Sequence, residues 1–205
     1  MITNNSPISS KAKFSDQCNS LPAIMRRRYA IDANNNDVIN LEGNMNITFS
    51  LLMSLFMPFL KLLKTLIPFK GKNVKVDATF FGKANVNAIY IERIFYFTPQ
   101  NPYIFSSHIE FLQNNEMIEY ALSNIGVKMT YSIKENKIIF QHKSYVIKIY
   151  DRAIILPISF IIGKIYVEEI PLSDDSYQML MKMTHPLLGV LYEYSGVFKM
   201  ANALF

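Results

Sequence analysis

The sequence predicts a mainly β protein, either a large curved antiparallel sheet or a β barrel or half-barrel, with one hydrophobic helix packed on it and short helices near the N-terminus. From Asn73 onward, apolar and polar residues alternate with a period of two, which predicts a series of about nine or ten strands when the segment "DVINLEGNMNITF" is included. These strands do not alternate with long helices, so the sequence does not favour a parallel βαβ fold. Several strands are apolar on both faces, as in a curved sheet or barrel around or against a hydrophobic helix.

Length and composition predict a single domain. The chain has 205 residues, of which 50% are hydrophobic, enough for one substantial core. The polar segment 1–13 is expected to be a mobile arm, and residues 14–205 to form the domain.

The charge of the chain narrows the class of partner. A formal net charge of +5 favours acidic partners such as lipid headgroups. Most lysines are scattered rather than clustered with aromatic residues, so nucleic acid is not expected as a partner.

Location and cofactors are predicted from what the sequence lacks. Cys18 is the only cysteine, and the N-terminal residues have no apolar core typical of a signal peptide, so we expect a cytoplasmic location, with peripheral contact to the inner membrane as a further expectation. Neither metal-ligand spacing nor a nucleotide fingerprint is visible, and we predict no cofactor.

The segment from Ile47 to Phe69 is the most hydrophobic part of the chain. One helical face carries the less apolar residues Ser50, Ser54, Met57, Lys61 and Lys64, and the other is filled with leucine and phenylalanine. The lysines interrupt the run before it reaches the ~20 apolar residues of a membrane span. We therefore predict an amphipathic helix whose apolar face packs on the sheet, with contact to a membrane or bound lipid as the alternative.

The period of two also assigns faces to individual strands. In "VKVDATFFG", Val74, Val76, Ala78 and Phe80 are predicted to point inward, and "KEN" at 134–136 is predicted to be a hairpin turn. In the last strand, Gly189 and Gly196 are interpreted as devices for curvature, and this strand is expected to pair with "INLEGNMNI" and its Gly43.

A few charged residues lie within otherwise apolar strands. They are Arg93, Glu119, Glu168 and Glu193. A buried carboxylate needs a partner, so we predict that Arg93 pairs with Glu168 or Glu193. Exposed placement and a ligand-binding or catalytic role remain alternatives, and Tyr194 joins these four as a candidate ligand-binding residue.

A run of three arginines, Arg26, Arg27 and Arg28, stands out in a chain that otherwise uses lysine. On a short helix, these residues would form either a solvated face or an electrostatic contact with an anionic membrane.

The order of several short motifs resembles a bacterial family known only as a domain of unknown function, DUF4166. The motifs are "LPAIMRRRY", "LEGNMNI", "VKVDATF", "ERIFYF", "MIEYALSNIGVKMTYSI", "ILPISF", "YVEE" and "HPLLGVLYEYSGVF". They extend from about Leu21 to Phe198. The resemblance implies a domain found alone or behind an oxidoreductase-like domain, and it implies no activity.

Three functions from different classes follow from these observations. The favoured one is a binding module that holds a hydrophobic ligand, a lipid or an acyl chain, inside the barrel. The second is a domain that interacts with another protein through its apolar faces. The third is an enzyme for a small hydrophobic substrate that uses Glu193 or Glu119 as acid or base and Arg93 to hold an anion; no catalytic residue is assigned.

Overall fold

The computed structural model describes residues 14, 16–31, 37–83, 86–98, 100–122, 124–150 and 152–201, with the side chains of 86 and 87 left out. The expected mobile arm at 1–13 lies outside the described residues. The described part folds into a closed antiparallel β barrel of ten strands, with an eleventh strand outside it. The predicted fold class is therefore confirmed.

The elements follow one another along the chain as predicted, short helices first and then mostly strands. The helices are a 3₁₀ turn at Cys18–Ser20, α1 at Ala23–Ala30, α2 at Leu51–Leu63 and α3 at Ser159–Ile162. The strands are β1 Val38–Phe49, β2 Gly71–Lys83, β3 Val86–Tyr96, β4 Tyr103–Phe111, β5 Glu116–Ala121, β6 Ile125–Lys134, β7 Lys137–Ile149, β8 Arg152–Leu156, β9 Lys164–Pro171, β10 Ser176–His185 and β11 Gly189–Met200.

The barrel closes because β6 pairs with β7. The strand order is β6-β5-β4-β3-β2-β1-β11-β10-β9-β7, with β8 hydrogen-bonded to β7 on the outside. All pairs are antiparallel. One set of alternating side chains therefore fills the interior, as for Val74, Val76, Ala78 and Phe80, which are all buried as predicted.

The predicted pairing of the first and last strands is also confirmed. In their register, Gly43 lies opposite Phe198, and Met45 lies opposite Gly196. A Cβ atom added at Gly43 would lie 2.3 Å from the Val197 carbonyl oxygen, and one at Gly196 would lie 2.4 Å from the Asn44 carbonyl oxygen. Glycine is therefore required because the backbones of these strands approach closely.

The N-terminal segment plugs one end of the barrel, which we call the plugged end. Ala23 and Ile24 at the start of α1 donate backbone hydrogen bonds to Asp174, in the turn between β9 and β10. Phe14 is fully buried, with its ring against Phe111, Tyr131 and Phe140 among others. This end is therefore filled with aromatic side chains.

Helix α2 connects β1 to β2 across the opposite end, which we call the cavity end. Its N-cap is Ser50, whose side-chain oxygen accepts a hydrogen bond from the Met53 amide, and Lys64 ends it in a left-handed conformation. Pro58 lies within the helix, which continues through it.

The predicted orientation of α2 is only partly correct. Met53 and Met57 are its buried residues, so the barrel is contacted by the side that includes the less apolar Met57. Of the apolar face expected to pack on the sheet, Leu52, Phe56, Phe59 and Leu63 do line the cavity. Three other members of that face point outward, since Leu51 is 83% exposed, Leu55 73% and Leu62 79%. The helix is therefore rotated about its axis relative to the prediction, which buries Met53 and Met57 and exposes three leucines of the apolar face.

Within the described residues, no helix has both the length and the apolar character that crossing a membrane requires.

Candidate functional site: an apolar cavity in the barrel

The cavity end of the barrel is hollow. A cavity of about 550 Å³ lies beneath α2. Most of its wall is formed by methionine, leucine, isoleucine and phenylalanine from α2, α3 and the inward faces of the strands, including Met53, Phe95, Phe105, Met129 and Met183. Its volume lies within the ~300–1,000 Å³ that small-molecule sites occupy.

One wall of the cavity carries a polar cluster that crosses three neighbouring strands. Arg93 on β3 donates a hydrogen bond of 3.2 Å to the Ser107 hydroxyl on β4 and approaches Glu119 on β5 at 3.5 Å. Ser107 donates a 2.7 Å hydrogen bond to the same Glu119 oxygen. The three side chains form a diagonal because they are offset by two residues from one strand to the next.

The guanidinium of Arg93 is charged, and only some of its N–H donors form hydrogen bonds with described residues. Burial lowers its pKa, but the neighbouring Glu119 carboxylate and tyrosines raise it more, so the pKa lies above its ordinary value. Hydrogen bonds to described residues use two of its five N–H donors. The remaining donors are available to an acceptor group in the cavity.

Two further hydroxyl groups line the same cavity. Burial raises the pKa of Tyr194 above its ordinary value, so the phenol is a neutral donor at physiological pH. Its hydroxyl has no hydrogen-bond partner among the described residues, and neither does the buried Thr65 hydroxyl that follows α2. Polar groups without partners on the wall of a cavity mark positions where a ligand or water can bind.

The cavity reaches the surface between α2 and α3. Phe56 and Phe59 on α2 and Ile161 on α3 all line the cavity. The same residues are 52%, 61% and 54% exposed, respectively. Side chains that contact both the cavity and the solvent define an opening, and here it lies between two helices rather than between paired strands.

A second arginine–glutamate pair lies at the plugged end, outside the cavity wall. Arg28 on α1 donates two hydrogen bonds to Glu169 on β9, of 2.9 and 3.1 Å, and the Tyr29 hydroxyl donates a third of 2.7 Å. The guanidinium carbon lies 4.2 Å from the ring centroid of Tyr177 and 4.7 Å from that of Phe80. This pair is enclosed by aromatic rings and is structural.

The structure corrects the predicted partners of Arg93. Glu168 lies on the outer face of β9, where it contacts Lys137 and Tyr166. Glu193 lies on the outer face of β11 and pairs with Lys182 at 3.3 Å. Neither acid reaches the cavity, so the pairing predicted for Arg93 is wrong, and the interpretation of Glu193 as one end of a buried pair is wrong as well.

The other candidates divide between the cavity and the surface. Arg93, Glu119 and Tyr194 line the cavity. Arg28 is 3% exposed, so it is unavailable for the membrane contact predicted for the arginine run, whereas Arg26 and Arg27 are exposed on α1.

Sequence reasoning missed Glu169, although the signal was present. In "KIYVEEIP", Ile165 and Val167 are the buried positions, and continuing the period of two leads to Glu169 rather than Glu168. In β5 the same rule gives no answer for Glu119, because its neighbours Ile118 and Tyr120 are also buried, in a small cluster on the outer face.

Ser159 and His142 form the one side-chain contact among described residues that resembles part of a hydrolase site. The Ser159 Oγ and His142 Nε2 atoms lie 2.8 Å apart, and burial lowers the pKa of His142. His142 Nδ1 is buried and has no partner among the described residues. The acid that would orient the ring in a triad is therefore absent from the described part of the chain.

Comparisons with known proteins give no activity for this chain. The chain is similar to the crystal structure titled Rv2717c from M. tuberculosis, with a TM-score of 0.44 and 11% sequence identity over 80% of this chain and 92% of the other. None of the curated proteins compared with this chain matches it.

A family model described as "Domain of unknown function (DUF4166)" matches residues 21–198. This match spans both the plugged end and the cavity end of the barrel, from before α1 to β11. The chain therefore belongs to the DUF4166 family.

Proposed function

We propose that this domain binds a hydrophobic molecule with one polar end, such as a fatty acid or another single-chain lipid, inside the barrel. The observation that carries the proposal is the apolar cavity of about 550 Å³ with a polar cluster on one wall. Apolar pockets with a few well-placed polar groups are the usual form of small-molecule sites.

The size of the cavity supports a bound molecule over an empty space. The apolar side chains that line an unfilled cavity of about 550 Å³ lack packing partners on one side and lose the dispersion contacts that a filled interior provides. Water is a poor substitute, because a buried water needs two to four polar partners and most of this wall is apolar. A hydrocarbon chain would fill the space and restore the missing contacts.

The polar groups indicate how the other end of the ligand is held. Arg93, Tyr194 and Thr65 offer hydrogen-bond donors toward the cavity, so a carboxylate, carbonyl or hydroxyl oxygen is the group that fits them. Glu119 accepts from Ser107 and keeps Arg93 oriented. In this arrangement the barrel holds the ligand and performs no reaction on it.

Native mass spectrometry of gently purified protein, followed by solvent extraction, tests the proposal. We expect a co-purified lipid or fatty acid at one molecule per chain, and displacement of a fluorescent fatty-acid analogue by oleate in solution. Protein that carries no lipid and does not bind the analogue contradicts it.

A cavity-filling substitution gives a sharper test. Ala121 lines the cavity on β5, so Ala121→Leu would place a larger apolar side chain in the space a ligand needs. We expect the affinity for the fatty-acid analogue to fall at least about tenfold while the protein stays folded, because part of the cavity is filled by the protein itself. The matched control is Ala30→Leu on the exposed end of α1, which should bind like the unchanged protein. Equal affinities of the two variants would contradict the assigned site.

A further inference from the structure

The cavity end carries an exposed apolar surface that continues from the opening of the cavity. On α2 it consists of Leu51, Leu55 and Leu62, exposed by 83%, 73% and 79%. In the turn between β10 and β11 it includes Leu187, which is 88% exposed, and on α3 it includes Phe160, 71% exposed. We call these five residues the apolar rim.

The members of the apolar rim belong to one end of the molecule. The Ser50 amide at the start of α2 donates to the Leu191 carbonyl on β11. His185 at the end of β10 hydrogen-bonds the Phe160 carbonyl of α3. Single exposed apolar residues are normal on a protein surface, but a group that surrounds an opening marks a site of contact.

The charges beside this surface indicate the chemistry of its partner. Residues 43–76 include five lysines and no aspartate or glutamate. Four of these lysines, Lys61, Lys64, Lys70 and Lys72, are exposed and form no ion pair with any described residue. Exposed leucine and phenylalanine beside unpaired lysines match a membrane surface with anionic headgroups, where the apolar residues enter the acyl region and the lysines remain at the headgroups.

A protein partner fits this surface less well. The cores of protein interfaces are depleted of lysine, and acidic partners would leave the adjacent leucines to be covered separately. An anionic bilayer satisfies both kinds of group with one surface.

We propose that the cavity end docks on anionic lipid membranes through the apolar rim and these four lysines, with the opening between α2 and α3 facing the bilayer. Docking stands on the surface itself, whereas the use of the opening for lipid exchange rests on the proposed function. In the docked position a single-chain lipid passes between bilayer and cavity without crossing water. The arginine run predicted to make a membrane contact lies at the plugged end and has no part in it.

Sedimentation of the full chain with vesicles tests the docking without any cavity ligand. The vesicles are pure phosphatidylcholine, or phosphatidylcholine with phosphatidylglycerol. We expect sedimentation with the anionic vesicles, several-fold weaker sedimentation with the zwitterionic ones, and a decrease as salt increases. No binding to anionic vesicles at low salt would overturn the proposal.

Two pairs of variants locate the contact. Leu51→Ser with Leu62→Ser removes two rim residues that do not line the cavity, and we expect binding to fall at least about tenfold. The control, Val38→Ser with Leu172→Ser, removes two exposed apolar residues at the plugged end and should leave binding unchanged. Equal losses would show that the rim is not the docking site.

The second pair of variants tests the basic residues. The double variant Lys64→Gln with Lys72→Gln is compared with the control double variant Arg26→Gln with Arg27→Gln. Each lysine removed should weaken binding to anionic vesicles by about fivefold, because a basic residue near such a surface adds ~1 kcal/mol. The arginine variant should bind normally, and a larger loss in that variant than in the lysine variant would overturn the proposal.

Light scattering during size-exclusion chromatography tests whether the apolar rim is instead covered by a second copy of the chain. We expect a monomer. A dimer that Leu51→Ser with Leu62→Ser converts to a monomer would overturn membrane docking. Binding of the fatty-acid analogue is measured without vesicles, so it tests the proposed function independently of membrane docking. If the proposed function is wrong, this binding is absent even when the protein docks on vesicles.

Discussion

The two ends of the barrel each contain a buried arginine facing a glutamate, and the two pairs are built differently. At the plugged end, Arg28 and Glu169 are both 3% exposed and share two hydrogen bonds, with Tyr29 donating a third. At the cavity end, Arg93 and Glu119 meet at 3.5 Å, and 26% of the Glu119 side chain is accessible. The first pair is enclosed by protein, whereas the second borders a cavity.

The difference lies in what completes each site. The aromatic rings of Tyr177 and Phe80 pack against the Arg28 guanidinium, so the surroundings of that charge consist of protein. The Arg93 guanidinium retains donors that no described residue uses. Arg28 also keeps one buried donor without a described partner, its Nε. The difference is that protein encloses the Arg28 pair, whereas the free donors of Arg93 border the cavity, where a ligand or water can accept from them.

The largest expected effect is on the plugged end. Arg28→Met leaves Glu169 buried without its cation, and we expect the free energy of unfolding to fall by about 3–5 kcal/mol, measured by urea denaturation. The control, Arg27→Met on the same helix, changes an exposed side chain and should alter stability by less than ~0.5 kcal/mol. A decrease in the free energy of unfolding below ~1 kcal/mol in Arg28→Met would show that water reaches Glu169 and that this pair is not buried.

The corresponding change at the cavity end should act on binding more than on stability. Arg93→Met removes a charged donor from the cavity wall, and we expect the Kd for the fatty-acid analogue to rise about tenfold or more, since hydrogen bonds to charged groups contribute ~1.5–3 kcal/mol. Stability should fall less than in Arg28→Met, because water in the cavity can solvate Glu119. Arg152→Met, on the exposed strand β8, is the control and should bind normally. An unchanged Kd in Arg93→Met would show that the polar cluster does not contribute to ligand binding.

Two tyrosines allow a milder comparison with the same chemical change. Tyr29→Phe removes the hydroxyl that donates to Glu169 and should lower the free energy of unfolding by about 1–2 kcal/mol with no change in ligand affinity. Tyr194→Phe removes a hydroxyl without a partner among the described residues, so it should leave stability nearly unchanged and weaken ligand binding about two- to tenfold. Thermal unfolding measures the stability of both variants, and fluorescence titration measures their affinity for the ligand. A loss of affinity in Tyr29→Phe together with a loss of stability in Tyr194→Phe would contradict the proposed difference between the two ends.

The smallest expected effect is on the reactivity of Cys18, which serves as a probe of the plugged end and needs no substitution of its own. Burial, with a contribution from Glu169, raises the pKa of this thiol to about 12, so little thiolate is present at pH 8. We expect Cys18 to react with a thiol reagent only after denaturant is added, and to react faster in Arg28→Met than in Arg93→Met. Rapid labelling of the native protein would indicate that the plug opens readily.

Particular residues show how far the sequence reaches. The period of two assigned Val74, Val76, Ala78 and Phe80 to the interior, because in β2 apolar and polar residues alternate and only one face can be buried. It could also have assigned Glu169 inward from Ile165 and Val167. In β11 the rule fails, because both faces carry apolar residues, and the face of Glu193 was therefore assigned to the wrong side.

The strands, their faces where apolar residues alternate and the mainly β class can be predicted from the sequence, because they follow from local periodicity and composition. The glycines of the first and last strands indicate their pairing, but the sequence leaves open whether the sheet closes into a barrel. Other features depend on contacts between residues that are distant in the chain. The partner of Arg93 depends on the register across three strands, and the rotation of α2 about its axis depends on how the helix packs over the barrel. The cavity is also a tertiary property, since the closure of ten strands fixes an interior volume and the side chains fill only part of it.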